Sequence, residues 1–445
     1  MRCAPYNRLH DVADVPTVDS IWALQDYRWL WATNVAVFCG KILMKMASLQ
    51  WLYEHTRSNM VLGGLGVIGL VTQLPSILFG GVLADEMDRR KLVSYMQAVA
   101  AGTCAAVSAL DSIGLLAPWH IYVAIGLLNI SSRLEASARN ALTPLIVPAN
   151  LLQGAISTNV VTDNAGELLA PALFFGITFG YSLCPAFVFS ASVYTAAAIL
   201  PLLIQTDCRP HCQESNCEPS DCLTAAKAKI RSCSEGLHYI FHHPLLPGLY
   251  VLDWGMTLFT FFRELFPVFA ATLLQPTPSW LSLRAIVSLL TALNYSGGMF
   301  GSFITFWMNA NPFKGRQVLG ATVFYGAFCV AFGALPAWWL AALAVFGAGA
   351  ADAVGMTVRK TIVGVSTPKH LQGRASAGHS FAAMSANSLG QVYVAAACAV
   401  IGAGPTMVLG GCLTWAATAA AAWRIPALLT HRLGEAADEP LPQQR

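Results

Sequence analysis

The chain has 445 residues, of which 56% are hydrophobic and only 11% charged. Soluble domains carry about 25% charged residues, so this composition excludes an ordinary soluble globule and points to an integral membrane protein. A net charge of +3 is too small to suggest a nucleic-acid partner.

Residues 1–28 are polar and mixed. They lack a basic start followed by a short apolar core, so they read as a cytoplasmic N-terminal tail rather than a leader. Apolar windows long enough to span a bilayer then recur at 29–52, 59–83, 92–112, 118–138, 151–179, 184–204, 245–273, 282–307, 318–334, 337–357, 375–401 and 405–425. A β-barrel would need alternating segments of about ten residues. These runs are longer and apolar all round, so the expected fold is an all-α membrane protein of twelve transmembrane helices.

Loop charges set the expected orientation. With a cytoplasmic N-terminus, twenty Lys and Arg residues fall in inside loops and tails, Arg139 and Arg359 among them, against only Arg57 and Arg284 outside. Both termini are therefore expected to be cytoplasmic.

The longest polar segment, around 206–240, divides the spans six and six. The expected layout is a bundle at 29–205, a cytoplasmic Cys-rich linker at 206–240, a second bundle at 241–425 and a cytoplasmic tail at 426–445. Two loop segments repeat across that divide. "RNALTPLIVPANL" at Arg139 and "RKTIVGVSTPKHL" at Arg359 share the spacing of Arg, Pro and Leu, and "DEMDRRKLV" at 85–93 has a faded copy, "NPFKGRQVL", at 311–319. Parallel six-helix repeats of this kind mark one class of transporter.

The stretch "GGVLADEMDRRKLV" concentrates charge in a turn between the second and third spans. It resembles the loop motif of the major facilitator superfamily, with Gly81, Leu83, Ala84, Asp85, Arg89 and Arg90 matching and Asp88 in place of the usual glycine. That substitution is similar to the branch containing the enterobactin exporter and macrolide efflux pumps. "LQWLYEHTRS", "LTPLIVPANLLQGAISTN" and "ADAVGMTVRKTIVGVSTPKHLQGRASA" resemble the same branch. The resemblance implies two six-helix pseudo-repeats that rock about a central site. It also implies a latch loop, with Gly81, Asp85, Arg89 and Arg90 holding the halves in one state. From the residues alone, Asp85 can pair with a base or cap a helix, and the arginines can serve as topology signals.

Ionisable residues inside spans are costly and mark candidate functional positions. Lys41 and Lys45 lie four apart near the middle of the first span, so they share a face and need an anion between them. In the fifth span Asp163 and Glu167 are also four apart, and an ion-pair set between these two faces is expected. The position equivalent to Glu167 in the second half is Asn387, which confines that charge to the first half. Asp253 and Asp352 are further candidates for proton coupling or substrate contact, with Arg359 as the alternative structural partner of Asp352. Arg263 and Glu264 read as an ion pair elsewhere in the bundle. Arg133 sits near the inner end of the fourth span in a context that fits the drug-antiporter pattern poorly, and it is set aside.

"DCRPHCQESNCEPSDC" holds Cys208, His211, Cys212, Cys217 and Cys222. The spacings permit a metal but match no established zinc pattern, and a flexible linker is the simpler reading, so no metal is expected. Of the twelve cysteines, six lie in apolar segments where a thiol behaves as a small hydrophobe, and no disulfide framework is expected. No nucleotide-binding loop occurs. The expected function is a secondary transporter rather than an enzyme, with no cofactor, working as a monomer in the bacterial cytoplasmic membrane. It is expected to draw on a proton gradient and export a small anionic, siderophore-like compound. Multidrug or macrolide efflux is the main alternative, followed by import or a non-transporting sensor on the same fold.

Overall fold

The computed structural model describes residues 20–206, 208, 246–272, 282–308, 313–367, 372–426 and 429, apart from 149, 180, 181 and 336; side chains at 74–75, 77–86, 366 and 372–379 are outside the description. The helices are α1 (Gln25–Thr56), α2 (Asn59–Glu86), α3 (Arg89–Ser112), α4 (Pro118–Ile146), α5 (Leu152–Thr178), α6 (Cys184–Ile199), α7 (Leu246–Thr260), α8 (Phe266–Thr272), α9 (Leu283–Trp307), α10 (Lys314–Ala334), α11 (Trp338–Ser366), α12 (Gln372–Ile401) and α13 (Ala403–Arg424). No strand occurs among the described residues. Eight of the described helices are long and apolar enough to cross a membrane.

Several helices run past the apolar windows that announce them. The fourth window closes at 138, but α4 continues to Ile146, and the tenth closes at 357, but α11 continues to Ser366. Beyond the hydrocarbon, a helix needs no apolar residue to continue, and α4 runs on even through Pro144. Arg139 and Arg359 are therefore helical residues rather than loop cations. α3 begins where Asp88 caps it, its carboxylate accepting from the Arg90 backbone N–H at 3.0 Å.

The seventh window is not one helix. Pro267 lacks an N–H, and its ring would clash with the carbonyl four residues earlier, at Arg263. The helix stops at Thr260, passes through a 3₁₀ turn at Arg263–Leu265 and resumes as α8. The Leu265 N–H finds the Phe262 carbonyl at 2.9 Å, so the break leaves its backbone partly satisfied.

Helix neighbours recur in the two halves. In the first, α1 packs on α5 and α6, α2 on α4, and α3 on α4 and α6. In the second, α7 packs on α12 and α13, α9 on α11, and α10 on α11 and α13. Each contact of one half has its counterpart in the other, which is the structural form of the sequence repeat. The halves meet through α2 against α12 and α5 against α9, again a matched pair.

Glycine permits the tightest of these contacts. A Cβ at Gly301 of α9 would run into the Ala350 carbonyl of α11, and one at Gly297 into the Phe346 carbonyl. Small residues at such contacts let backbones approach where lipid gives no hydrophobic drive for association. Gly301→Val is expected to lower stability by about 1–3 kcal/mol through overpacking. The loss is read as a lower melting temperature in detergent, whereas Gly320→Ala, where a Cβ meets nothing within 4 Å, should melt at or above wild type.

Candidate functional site

A cavity of ≈430 Å³ lies between the halves, and a second lobe of ≈240 Å³ adjoins it. Lys41, Lys45, Leu49, Phe261, Glu264 and Asn387 line both lobes. α1 and α5 of the first half and the α7–α8 break, α9, α11 and α12 of the second supply the walls of the larger one.

The break in the seventh segment organises the charges. It presents two consecutive ionised residues in different directions. Glu264 pairs with Lys45 of α1, joining the halves, while Arg263 pairs with Asp352 of α11 inside the second half. The expected ion-pair set between the α1 lysines and the α5 carboxylates is therefore corrected. Lys45 is held by Glu264, because the break moves that carboxylate to the α1 face. Glu167 lines the larger lobe and makes no ion pair among the described residues. Asp163 lines neither lobe, and its Oδ1 is buried with no hydrogen-bond partner among the described residues. Lys41 is open to both lobes, on the face it shares with Lys45.

Arg359 does not pair with Asp352. Its Nη2 lies 2.8 Å from Oδ1 of Asp253, with side chains 3% and 10% exposed, and neither residue lines the cavity. The first half contains the related contact. Arg139 donates from Nη1 to Asn34 Oδ1 at 2.9 Å and from Nε to Glu135 Oε2 at 3.2 Å, and Asn34 donates to Asn159 Oδ1 at 3.1 Å. Asn34 and Asp253 lie 219 residues apart, and Arg139 and Arg359 lie 220 apart. One arginine per half thus ties the fourth helix of the repeat to its first, with the matching carboxylate on α7 in one half and on α4 in the other.

Arg263, Glu264, Arg133 and Asn387 are cavity residues that sequence reasoning placed elsewhere, set aside or left without a role. The signal for the first two was Pro267, which disfavours a regular helix through the Arg-Glu pair just before it. Arg133 lines the smaller lobe, where its Nη1 donates to the Met384 thioether at 2.7 Å.

In the loop motif, Gly81 and Asp85 fall in the last turns of α2, and their side chains lie outside the described residues. Arg89 and Arg90 open α3. The Arg90 guanidinium donates to Asp88 and, through Nη1, to the Ile204 carbonyl at 2.8 Å, ties within the first half. Burial pushes the Asp88 carboxyl up, but hydrogen bonds from the Arg90 side chain and backbone and the charges on Arg90 and Lys91 outweigh it, so the group sits below its usual range. The helix-capping role open to Asp85 is filled by Asp88. Cys208 is buried against the end of the first half, while His211, Cys212, Cys217 and Cys222 lie outside the described residues. Among the described residues, no group of His, Cys, Asp and Glu could hold a metal.

At the end of the bundle where α1 stops and α9 starts, the halves are clamped. Arg284 donates from Nε and Nη2 to the two Glu54 oxygens at 2.9 Å each. Below it, Gln391 of α12 donates to the Leu62 carbonyl of α2 at 2.9 Å, and a Cβ on Gly66 would meet the Ser388 carbonyl.

Residues 30–391 match the sequence pattern of the Major Facilitator Superfamily, and the chain belongs to that family. It is an integral membrane protein with the transporter architecture of that class. Among curated relatives, the Enterobactin exporter EntS of Citrobacter koseri is 26% identical over 314 residues, covering 67% of each chain. Macrolide efflux protein A of Streptococcus pyogenes is 26% identical over 155 residues, so this match spans 34% of the present chain and 37% of that protein. Among solved structures, a peptide transporter POT in complex with sulfate superposes with a TM-score of 0.73 at 12% identity, covering 95% of this chain and 98% of that one. The nucleoside transporter NupG superposes at 0.70 and 11% identity, covering 89% and 98%. At such identities the likeness establishes the fold.

Arg359→Ala leaves Asp253 charged and buried without its partner and is expected to cost about 3–5 kcal/mol, seen as a large drop in melting temperature. Joining it with Asp253→Asn should recover much of that loss. A double variant no more stable than the single one would show that the pair is not what holds this corner.

Proposed function

We propose that the chain is a proton-coupled secondary transporter of a bacterial cytoplasmic membrane that exports a small anionic, siderophore-like metabolite by alternating access. The observation that carries this reading is the Lys45–Glu264 ion pair, which joins the two halves inside the cavity. A proton on Glu264 removes one charge of that pair and frees Lys45, so proton binding weakens the tie between halves and exposes a cation to the cargo. Glu167, which lines the larger lobe and makes no ion pair among the described residues, is a second proton site on the same route. Arg263 with Asp352 fixes the broken segment that carries Glu264. In this reading both termini are cytoplasmic, one chain suffices, and Gly81, Asp85, Arg89 and Arg90 form the latch at the cytoplasmic end. Kinship with the enterobactin exporter supports the cargo class, as does the surplus of cations on the first-half wall.

One observation favours efflux of apolar cations instead. Glu167 stands in the larger lobe beside Phe38, Phe261 and Phe266, an anion among aromatic rings. The macrolide efflux relative points the same way.

The two readings separate in proteoliposomes. An imposed proton gradient should drive accumulation of enterobactin, and Glu264→Gln should reduce the initial rate about tenfold or more, as expected for an intramembrane carboxylate on the proton path. Accumulation that ignores the gradient would remove proton coupling. Gradient-driven movement of erythromycin without enterobactin would give the cavity to cationic drugs.

A further inference from the structure

We infer that the smaller lobe is the seat of the cargo's anionic group, a carboxylate or phenolate held between Lys41 and Arg133. The inference rests on the reading of the cavity as the cargo route and gives that route a specific recognition element.

Charge matching leads to the site. The ionised groups lining the smaller lobe are Lys41, Lys45, Arg133 and Glu264. Glu264 is engaged by Lys45, which leaves two cations in the lobe and no carboxylate for them. No described first-half carboxylate lines the lobe: Glu135 is bonded through one oxygen to Arg139 at 3.2 Å, and Asp163 and Glu167 are absent from its walls. Neither Lys41 nor Arg133 makes an ion pair among the described residues.

The single hydrogen bond of Arg133 among the described residues sharpens the point. A guanidinium offers five N–H donors in a planar fork suited to a carboxylate. Here one of them reaches the thioether sulfur of Met384, a weak acceptor. Lys41 projects from α1 and Arg133 from α4, so both cations belong to one half and stay together as the halves rock. Asn129, one turn before Arg133 on α4, and Asn387 of α12 line the same lobe and supply neutral donors. Unmatched cations inside an apolar bundle are costly and persist where an anion visits them.

Size and shape agree. At ≈240 Å³ the lobe falls below the range of pockets that enclose a whole drug-sized ligand, about 300–1,000 Å³, so it takes one group of the cargo. Phe261 lines both lobes and gives the remainder of the molecule a ring surface leading into the ≈430 Å³ chamber. There Lys41, Lys45 and Arg263 are balanced by Glu167, Glu264 and Asp352, so the surplus of positive charge belongs to the smaller lobe. An anion seated on Lys41 also lies next to Lys45, one helical turn away, and competes with Glu264 for it.

Isothermal titration of the purified full-length protein in detergent with 2,3-dihydroxybenzoate tests the site. Lys41→Gln and Arg133→Gln should each weaken binding about tenfold or more, and Arg133→Lys, which keeps the charge but loses the fork, should fall between. Melting curves establish that each variant is folded; should a Gln variant not fold, Arg133→Lys and Lys41→Arg carry the measurement. Wild-type binding left unchanged by these substitutions would overturn the subsite and leave the anionic-cargo reading standing. Inorganic phosphate competing as strongly as the catechol acid would make the lobe a general anion site and overturn the cargo assignment. A wild-type protein that binds no 2,3-dihydroxybenzoate overturns the subsite, and the enterobactin uptake assay then decides separately whether the wider reading falls.

Discussion

The requirement that every ionised group in an apolar bundle be matched governs this molecule. Of its 26 basic residues, twenty were assigned to one set of loops and tails and two to the other. The remaining four are Lys41, Lys45, Arg133 and Arg263, and all four line the central cavity. Of the cations assigned to loops, Arg139 and Arg359 continue into helices and pair with carboxylates of their own half. The opposing carboxylates Glu167, Glu264 and Asp352 face the same space. Most charge inside the bundle is therefore either paired within one half, as at Arg139–Glu135 and Arg359–Asp253, or gathered where the two halves meet, and there it is only partly neutralised.

The repeat explains why that meeting place is polar. Lys45 and Glu264 lie 219 residues apart, the separation that also relates Asn34 to Asp253. They occupy related positions on the first helix of each half, and related positions on such helices face each other across the pseudo-two-fold axis. Identical side chains there would repel if charged. The sequence has diverged so that one carries an ammonium and the other a carboxylate, and divergence turns a repulsion into the tie between halves. The arginines Arg139 and Arg359 went the other way. Each keeps the same job in its own half, with the carboxylate on the arginine's own helix in the first half and on α7 in the second. Symmetry is retained where it serves packing and lost where the cavity needs sign.

Most of the helical architecture was legible in the sequence, because an apolar run of bilayer length has few alternatives. Helix ends were less so. Arg139 and Arg359 read as loop residues because hydropathy falls before them, yet hydropathy reports the edge of the lipid and not the end of the helix. The pairing of Asp352 failed for a related reason. Arg359 is the nearest basic residue along the chain, but seven positions on a helix is two turns, and Asp253 on α7 lies closer in space. The α1 lysines were legible as a charged face, though not their partner, since Glu264 reaches Lys45 only through a break. Pro267 was the local signal, but α4 and α5 run on through Pro144 and Pro171, so a proline alone says neither that a helix breaks nor which way the freed residues turn. Arg133 was dismissed on motif resemblance alone, a criterion that knows nothing of what surrounds the side chain.

The structure also shows which end of the cavity is shut and by what kind of force. Near Glu54 the closure combines a two-point Arg284–carboxylate clamp with a seam of α2 glycines against α12. These two components respond differently to opening. The clamp is a two-point ion pair whose side chains are only 23% and 22% exposed, so opening gives up a largely buried charge pair to water. The glycine seam gives up close backbone packing and hydrogen bonds such as Gln391 to Leu62, with no hydrophobic gain or loss to offset it in lipid. The bidentate clamp and the seam therefore both resist opening at that end. Lys45–Glu264, deeper in the cavity, adds a tie whose strength depends on the charge of one carboxylate. In the proposed proton-coupled reading, a proton on Glu264 weakens that tie while the glycine seam holds the Glu54 end shut in its absence, a separation of roles that coupled transport requires.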